Sequence, residues 1–136
     1  MAEVKQQVAT EEGKIDRGVL TDVDLSGQLY TFMKGDTNNF LTKATAGDRA
    51  NWGILQTAPN GSSKETYGQV RLQGISMLKL AGTVAKGNYI KSDANGNGVV
   101  TSGANDQYNA MALGAGVSGD YIPVLICHGF DVVGSG

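Results

Sequence analysis

Glycine and asparagine interrupt this chain about every 8 to 12 residues, and that spacing of turn signals is the strongest constraint on what it can fold into. Twenty glycines stand against two prolines in 136 residues. Between the breaks lie short stretches such as LYTFM, WGILQ, YGQVRLQGISMLKL and YIPVLIC. In these, apolar side chains alternate or run together over strand-like lengths. A parallel α/β sheet requires helical stretches of about 10 to 15 residues between strands, and none stands out. The pattern predicts an all-β fold of about eight to ten short antiparallel strands, arranged as a small β-barrel, a β-tulip or a sandwich.

The length fits one domain, able to bury roughly two-thirds of the surface its unfolded chain exposes. With 40% hydrophobic and 18% charged residues, the chain is too apolar to be disordered. Residues 1–17 differ: Val4, Val8 and Ile15 are their only sizeable apolar side chains. They read as an extended or partly disordered arm, with residues 18–136 as a single β domain.

A formal charge of −2 argues against a general nucleic-acid binder. The charges are segregated: Lys64, Arg71, Lys79, Lys86 and Lys91 face only Glu65 in their stretch, whereas Asp93, Asp106, Asp120 and Asp131 follow with no Lys or Arg. Cys127 is the only cysteine, so no internal disulfide forms. No secretory or membrane-spanning stretch is visible, and the expectation is a soluble protein made in the cytoplasm.

Along the chain, Tyr30 and Phe32 are expected on one strand face and Thr31 and Met33 on the other, before a turn at GDTNN. TAGDRANW holds a loop or one helical turn, Trp52 to Gln56 a buried strand, and Thr57 to Thr66 a polar loop. Gly74, inside the alternating run that follows, marks a bulge or a corner. Two strands then flank DANGNG, a loop runs to Tyr108, and YIPVLIC is the strongest strand candidate. WGILQ followed by YGQVRLQG faintly echoes LGAGV followed by DYIPVLICHG, each pair placing a Tyr-x-x-Val strand after a glycine-bearing one.

Several partial motifs invite chemical readings. SDANGNGVV opens like a calcium loop, with Asp93, Asn95, Asn97 and Gly98 in place, but the twelfth position is Ala104 where a bidentate Glu is needed. A hairpin turn is the better reading, because Asn-Gly pairs supply positive φ angles. Gly114, Gly116 and Gly119 spell G-x-G-x-x-G, yet a strand follows where a dinucleotide site requires a helix. Cys127 and His128 are neighbours, which in a regular strand sends them to opposite faces, so Cys127 is expected in the core and His128 at a strand end. One Cys and one His are too few for a structural zinc site. Asn60-Gly61-Ser62 matches a glycosylation sequon without a secretory route to it. Trp52, near Asp48 and Arg49, reads as a core or rim residue. No paired carboxylates and no hydroxyl with a base emerge, and the chain reads as a non-enzyme without metal or cofactor.

Taken in order, DLSGQLYTFMK, AGDRANWGILQ, GQVRLQGISMLKLAGTVAKGNYIKSDANGNGVV and ALGAGVSGDYIPVLI resemble the capsid cement or decoration proteins of tailed phages, of the DUF2190-like kind. The resemblance runs from about Gly18 to Gly129. It implies a compact β-barrel or tulip fold, no catalysis, assembly as homotrimers or other small clusters, and attachment to the major capsid protein on the outer surface of the virion head. The partners implied are thus that protein and further copies of this chain, with no nucleic acid and no membrane. Val4, Val8, Ile15, Arg17, Arg49 and Trp52 are the candidate interface residues, with the arm carrying part of the attachment. The alternative is a carbohydrate- or receptor-binding β module of a phage tail or fibre, which needs exposed aromatics around Trp52, Tyr67 or Tyr108.

Overall fold

A computed structural model describes residues 13–46, 51–60, 66–103 and 106–131. Among them there is no helix. Nine strands are present: β1 (Ile15–Thr21), β2 (Phe32–Gly35), β3 (Leu41–Lys43), β4 (Asn51–Leu55), β5 (Thr66–Lys79), β6 (Tyr89–Ser92), β7 (Gly98–Val100), β8 (Asp106–Ala112) and β9 (Tyr121–Asp131). They pair antiparallel in the order β3-β2-β4-β5-β9-β8-β6-β7, with β1 added alongside β5. The sheet curls into a half-barrel, as the turn spacing predicts.

Strand β5 organises the curl. Its first half pairs with β1 and β4, and its second half, from Gly74 to Lys79, pairs with β9. The exchange of neighbours falls at Gly74, whose φ of 107° is closed to most side chains. The corner expected at this glycine is where the sheet turns.

The larger core cluster draws Phe32 from β2, Ile54 from β4, Leu78 from β5, Ile90 from β6, Ala110 from β8 and Ile122, Val124 and Ile126 from β9. Strands from both ends of the order contribute, which only the concave side of a curled sheet allows. A second cluster of Leu25, Met33, Leu41, Leu55 and Val70 lies on the other side of β2 and β4. Consecutive residues, Phe32 with Met33 and Ile54 with Leu55, are therefore buried on opposite faces. Tyr30 departs from the expected strand alternation: it has a φ of 62° and belongs to the turn before β2. Tyr108, expected in a loop, lies within β8.

The tip of the β6–β7 hairpin joins the ends of the sheet. Phe32 N–H donates to the Gly96 carbonyl at 2.8 Å, and Lys43 Nζ donates to Asn95 Oδ1 at 3.0 Å. Edge strand β7 also returns to the end of β5 through a parallel bridge between Leu80 and Gly98. These contacts leave the edge partly covered, which limits the pairing of stray strands.

Strand β1 begins earlier than the arm boundary read from composition. Ile15, Asp16 and Arg17 pair with Gln73, Arg71 and Val70. The reason is electrostatic: Arg71, only 4% exposed, donates Nε to Asp16 Oδ1 at 2.8 Å and Nη2 to Asp16 Oδ2 at 3.2 Å. A segment that is polar in sequence is thus held by a bidentate ion pair rather than by apolar packing. Val4 and Val8 lie outside the described residues.

An internal repeat stronger than the sequence echo emerges at a constant offset along the chain. Val84 and Gly116 exchange backbone hydrogen bonds at 2.9 and 3.0 Å. Gly87 N–H donates to the Ala112 carbonyl and Gly119 N–H to the Leu80 carbonyl, both at 2.8 Å. Asn88 Oδ1 accepts from Ala85 N–H at 2.8 Å and Asp120 Oδ2 from Val117 N–H at 3.0 Å. Gly87 and Gly119 have φ values of 89° and 90°. A local two-fold therefore relates the β5–β6 connection to the β8–β9 connection. It also accounts for the G-x-G-x-x-G spelling, since Gly119 is a turn residue matched by Gly87.

Candidate interaction surface

The acidic and amide side chains of the loops mostly hold turns. Asp36 Oδ1 accepts from Asn38 and Phe40 N–H at 2.8 and 3.0 Å, and Asp93 Oδ1 accepts from Asn95 and Asn97 N–H at 2.8 and 2.9 Å. GDTNNF and SDANGN are thus one turn used twice, each closed by a residue at positive φ, Asn39 at 62° and Gly96 at 83°. The Asp93 oxygen that would face calcium is occupied by backbone donors. We expect millimolar calcium to leave the melting temperature unchanged, whereas Asp93→Ala lowers stability by about 1–2 kcal/mol through two lost acceptor contacts. Thermal unfolding with and without calcium checks both; a calcium-dependent rise in melting temperature would sink this reading.

Asp106 is used in the same way. Lys91 Nζ at 2.9 Å and the N–H groups of Ser102 and Gly103 at 2.8 and 3.2 Å converge on its Oδ2. The Lys91 hydrogen bond is the main cause that holds the carboxyl down at about 2. Asp24 accepts from Ser26 N–H at 2.9 Å. Beside it a shallow cleft of about 280 Å³ is lined by Val23, Asp24, Leu25, Gln28, Thr42 and Lys43, just below the range of drug-sized ligand sites.

The Cys127–His128 pair sits on an irregularity that sequence alternation does not anticipate. Tyr108 pairs with Gly129 and Ala110 with Ile126, so Asn109 alone faces both Cys127 and His128. Cys127 is consequently half-buried rather than in the core, and β9 continues past His128 to Asp131. His128 Nδ1 lies 3.0 Å from Asn109 Oδ1, within hydrogen-bond distance. Asn109 is 1% exposed, and its Nδ2 has no partner. Burial pushes the Cys127 thiol up and the His128 imidazole down, so both groups favour their neutral forms. A thiolate–imidazolium pair, which a cysteine nucleophile requires, is disfavoured in this setting. Among the described residues no three His, Cys, Asp or Glu side chains come together as a metal site.

The aromatics named for sugar binding do not form one platform. Trp52 is half-buried on β4 beside the second cluster, where it fills the space above Gly35. Tyr67 is exposed on β5, opposite Leu20 of β1. Tyr108 stacks on Tyr89 with ring centroids 4.0 Å apart. Of the candidate interface residues, Ile15 and Arg17 are exposed on β1, Trp52 lies across β5 on β4, and Val4, Val8 and Arg49 fall outside the described residues.

The structure instead brings together a surface that no motif announced. Ile75 pairs with Leu125, Leu125 with Met111, and Met111 with Tyr89, a row in register across β5, β9, β8 and β6. Met77 and Pro123 pair in the adjacent row, and Leu113 N–H donates to the Pro123 carbonyl at 2.9 Å. The side chains between them in sequence, Ser76, Leu78, Ile90, Ala110, Ala112, Val124 and Ile126, are buried on the concave side. The row therefore faces outward, where an antiparallel sheet normally presents polar residues. Leu125 is 37% and Tyr121 48% exposed. YIPVLIC, apolar at every position, supplies both faces of β9 at this point. No family model matches the sequence, and no curated protein is similar to it.

Proposed function

We propose that this chain is a non-enzymatic structural protein of a phage head. It binds the outer surface of the major capsid protein lattice, self-associates, and stabilises the mature capsid. The observation that carries this reading is the apolar row Ile75-Leu125-Met111-Tyr89 across the outer side of β5, β9, β8 and β6, on a domain whose turn carboxylates are engaged in holding the backbone. A contiguous apolar patch of this kind marks a macromolecular contact rather than a small-molecule site.

The ordered segments that carry the resemblance to capsid cement proteins give the domain its shape. Gly53 ends in the Ile54-Leu55 pair that bridges the two clusters, Gly74 is the corner, Asp93 and Gly96 form the seam-closing tip, and Gly119-Asp120 form a turn of the internal repeat. The physical mechanism is linkage. A protein that binds only the expanded lattice stabilises it by its own binding free energy, about 2.7 kcal/mol per site at a hundredfold excess over Kd.

Co-sedimentation with expanded, decoration-free capsids tests the reading. The expected result is saturable binding to expanded capsids and none to compact procapsids; equal or absent binding to both would remove it. Because Asp16 anchors β1, a test of the arm deletes residues 1–12 only. The expectation is weaker capsid binding with an unchanged melting temperature.

A further inference from the structure

We propose that the free edge of β3 takes up, as an added strand, an extended basic segment of a partner protein. The inference does not rest on the capsid reading, which co-sedimentation tests separately. Strand β3 ends the sheet order, so no strand is bonded along its outer edge among the described residues. Two backbone bonds set which groups lie there: Asp36 N–H donates to the Phe40 carbonyl at 2.8 Å, and Ala44 N–H to the Phe32 carbonyl at 2.9 Å. With Lys34 paired to Thr42 between them, the even-numbered residues of β3 face β2 and the alternate ones, Leu41 and Lys43, turn their N–H and C=O groups outward. Thr21 agrees with this parity, since its Oγ1 donates to the Leu41 carbonyl at 2.8 Å. The N–H and C=O of Lys43 lie one repeat further on, about 7 Å away. Among the described residues they have no backbone partner.

Two observations choose the occupant. The first is geometric. An N–H and a C=O turned outward from one residue are met together by an antiparallel backbone, which exchanges both bonds with a single residue of its own. The gap between β3 and residues 23–25 is closed at Thr21 and opens at Lys43 into the cleft of about 280 Å³, where Leu25 is buried and Val23 is 39% exposed. That cleft receives an apolar side chain from the added strand. The second is charge. Lys43 lines the same cleft, but its Nζ is turned to Asn95 Oδ1 at 3.0 Å. Asp24 Oδ1 accepts from Ser26 N–H, and among the described residues no cation pairs with this carboxylate. A Lys or Arg two residues from the apolar one, on the same face of the added strand, meets it.

The test follows backbone amide exchange by NMR on the isotope-labelled full chain, alone and with the acetylated, amidated peptide Thr-Val-Thr-Arg-Thr as the probe. In the free chain the Thr42 amide is expected to be protected and the Lys43 amide to exchange as an open one. At saturation the peptide is expected to slow Lys43 exchange at least about tenfold, and the same peptide with Glu in place of Arg to bind about threefold more weakly. Lys43→Pro removes the outward N–H without touching the ladder to β2, and is expected to abolish peptide binding. Lys43→Ala loses the same side chain, keeps the N–H, and is expected to retain binding. Asp24→Asn keeps the Oδ1 that accepts from Ser26 and is expected to erase the preference for Arg over Glu, which covers the case in which Lys43→Pro does not fold. A Lys43 amide already protected in the free chain at low concentration overturns the inference, as does a peptide that binds Lys43→Pro as well as Lys43→Ala, or a wild type that takes neither peptide. A Lys43 amide that becomes protected as the chain alone is concentrated gives the edge to a second copy and overturns it too.

Discussion

Gly53→Ala is expected to destabilise the domain by about 4 kcal/mol, combining strain at an unfavourable φ with overpacking. Gly53 has a φ of 154°, and a Cβ there falls onto the Arg71 carbonyl oxygen, with Arg71 C at 2.9 Å and Leu72 Cα at 3.3 Å. All three atoms belong to the backbone of β5, so no side-chain rotation relieves the contact. The strand would have to part from β5 where Ile54 and Leu55 divide between the two core clusters. For a domain of this size the loss corresponds to a fall in Tm of roughly 10–20 °C. Thermal and urea unfolding monitored by circular dichroism measure it. A variant melting within a few degrees of the wild type would show that β4 and β5 do not approach this closely.

Asp16→Ala is expected to cost about 3 kcal/mol, because it leaves the guanidinium of Arg71 buried without the carboxylate that faces it. Arg71 retains the bond from Nη1 to the Ile75 carbonyl at 2.8 Å, which sits beside the corner. Arg71→Met is expected to cost less, since it removes the charge that needs a partner and keeps an apolar stem. The pH dependence follows from the same pair. The hydrogen bond from Arg71 is the main cause that lowers the Asp16 carboxyl below its usual value of 3.8. A carboxyl depressed on folding stabilises fully above its unfolded value, and that stability is lost as pH falls through the folded value. Wild-type stability should therefore drop as pH falls below about 4, and Asp16→Ala should show a shallower drop. Asp106, held at about 2, keeps a residual acid dependence in the variant. Identical slopes for the two proteins between pH 5 and pH 2 would contradict the assignment.

These two positions also show what the sequence discloses. Gly74 was legible as a corner because a single glycine inside an alternating run has few other uses. SDANGN was legible as a turn because Asn-Gly pairs carry their own conformational signature. The attachment of β1 was not, because the partner of Asp16 lies 55 residues away and no local period encodes an ion pair. The Cys127–His128 irregularity was equally hidden, since alternation is the assumption that a bulge breaks. The internal repeat is faint in the sequence because backbone bonds and φ angles carry it, while only a few side chains, such as Tyr89 with Tyr121 and Ile90 with Ile122, coincide.

The outer face was half legible. The unbroken apolar run of YIPVLIC is plain in the sequence, but which residues turn outward depends on the register with β5 and β8. Once Ile122, Val124 and Ile126 are placed in the core, Tyr121, Pro123 and Leu125 must lie on the other side. Met111, Ile75 and Tyr89 become their neighbours only through pairing. A surface assembled from four strands has no motif, and single-residue candidates such as Trp52 draw attention away from it.

Differential scanning calorimetry of expanded, decoration-free capsids with and without the purified chain reads the proposed capsid stabilisation itself. The capsid transition is expected to move to higher temperature as the protein is added, level off when the lattice is saturated, and return to its starting value when the protein is removed. A capsid transition that stays at the same temperature at every concentration of the chain would contradict it.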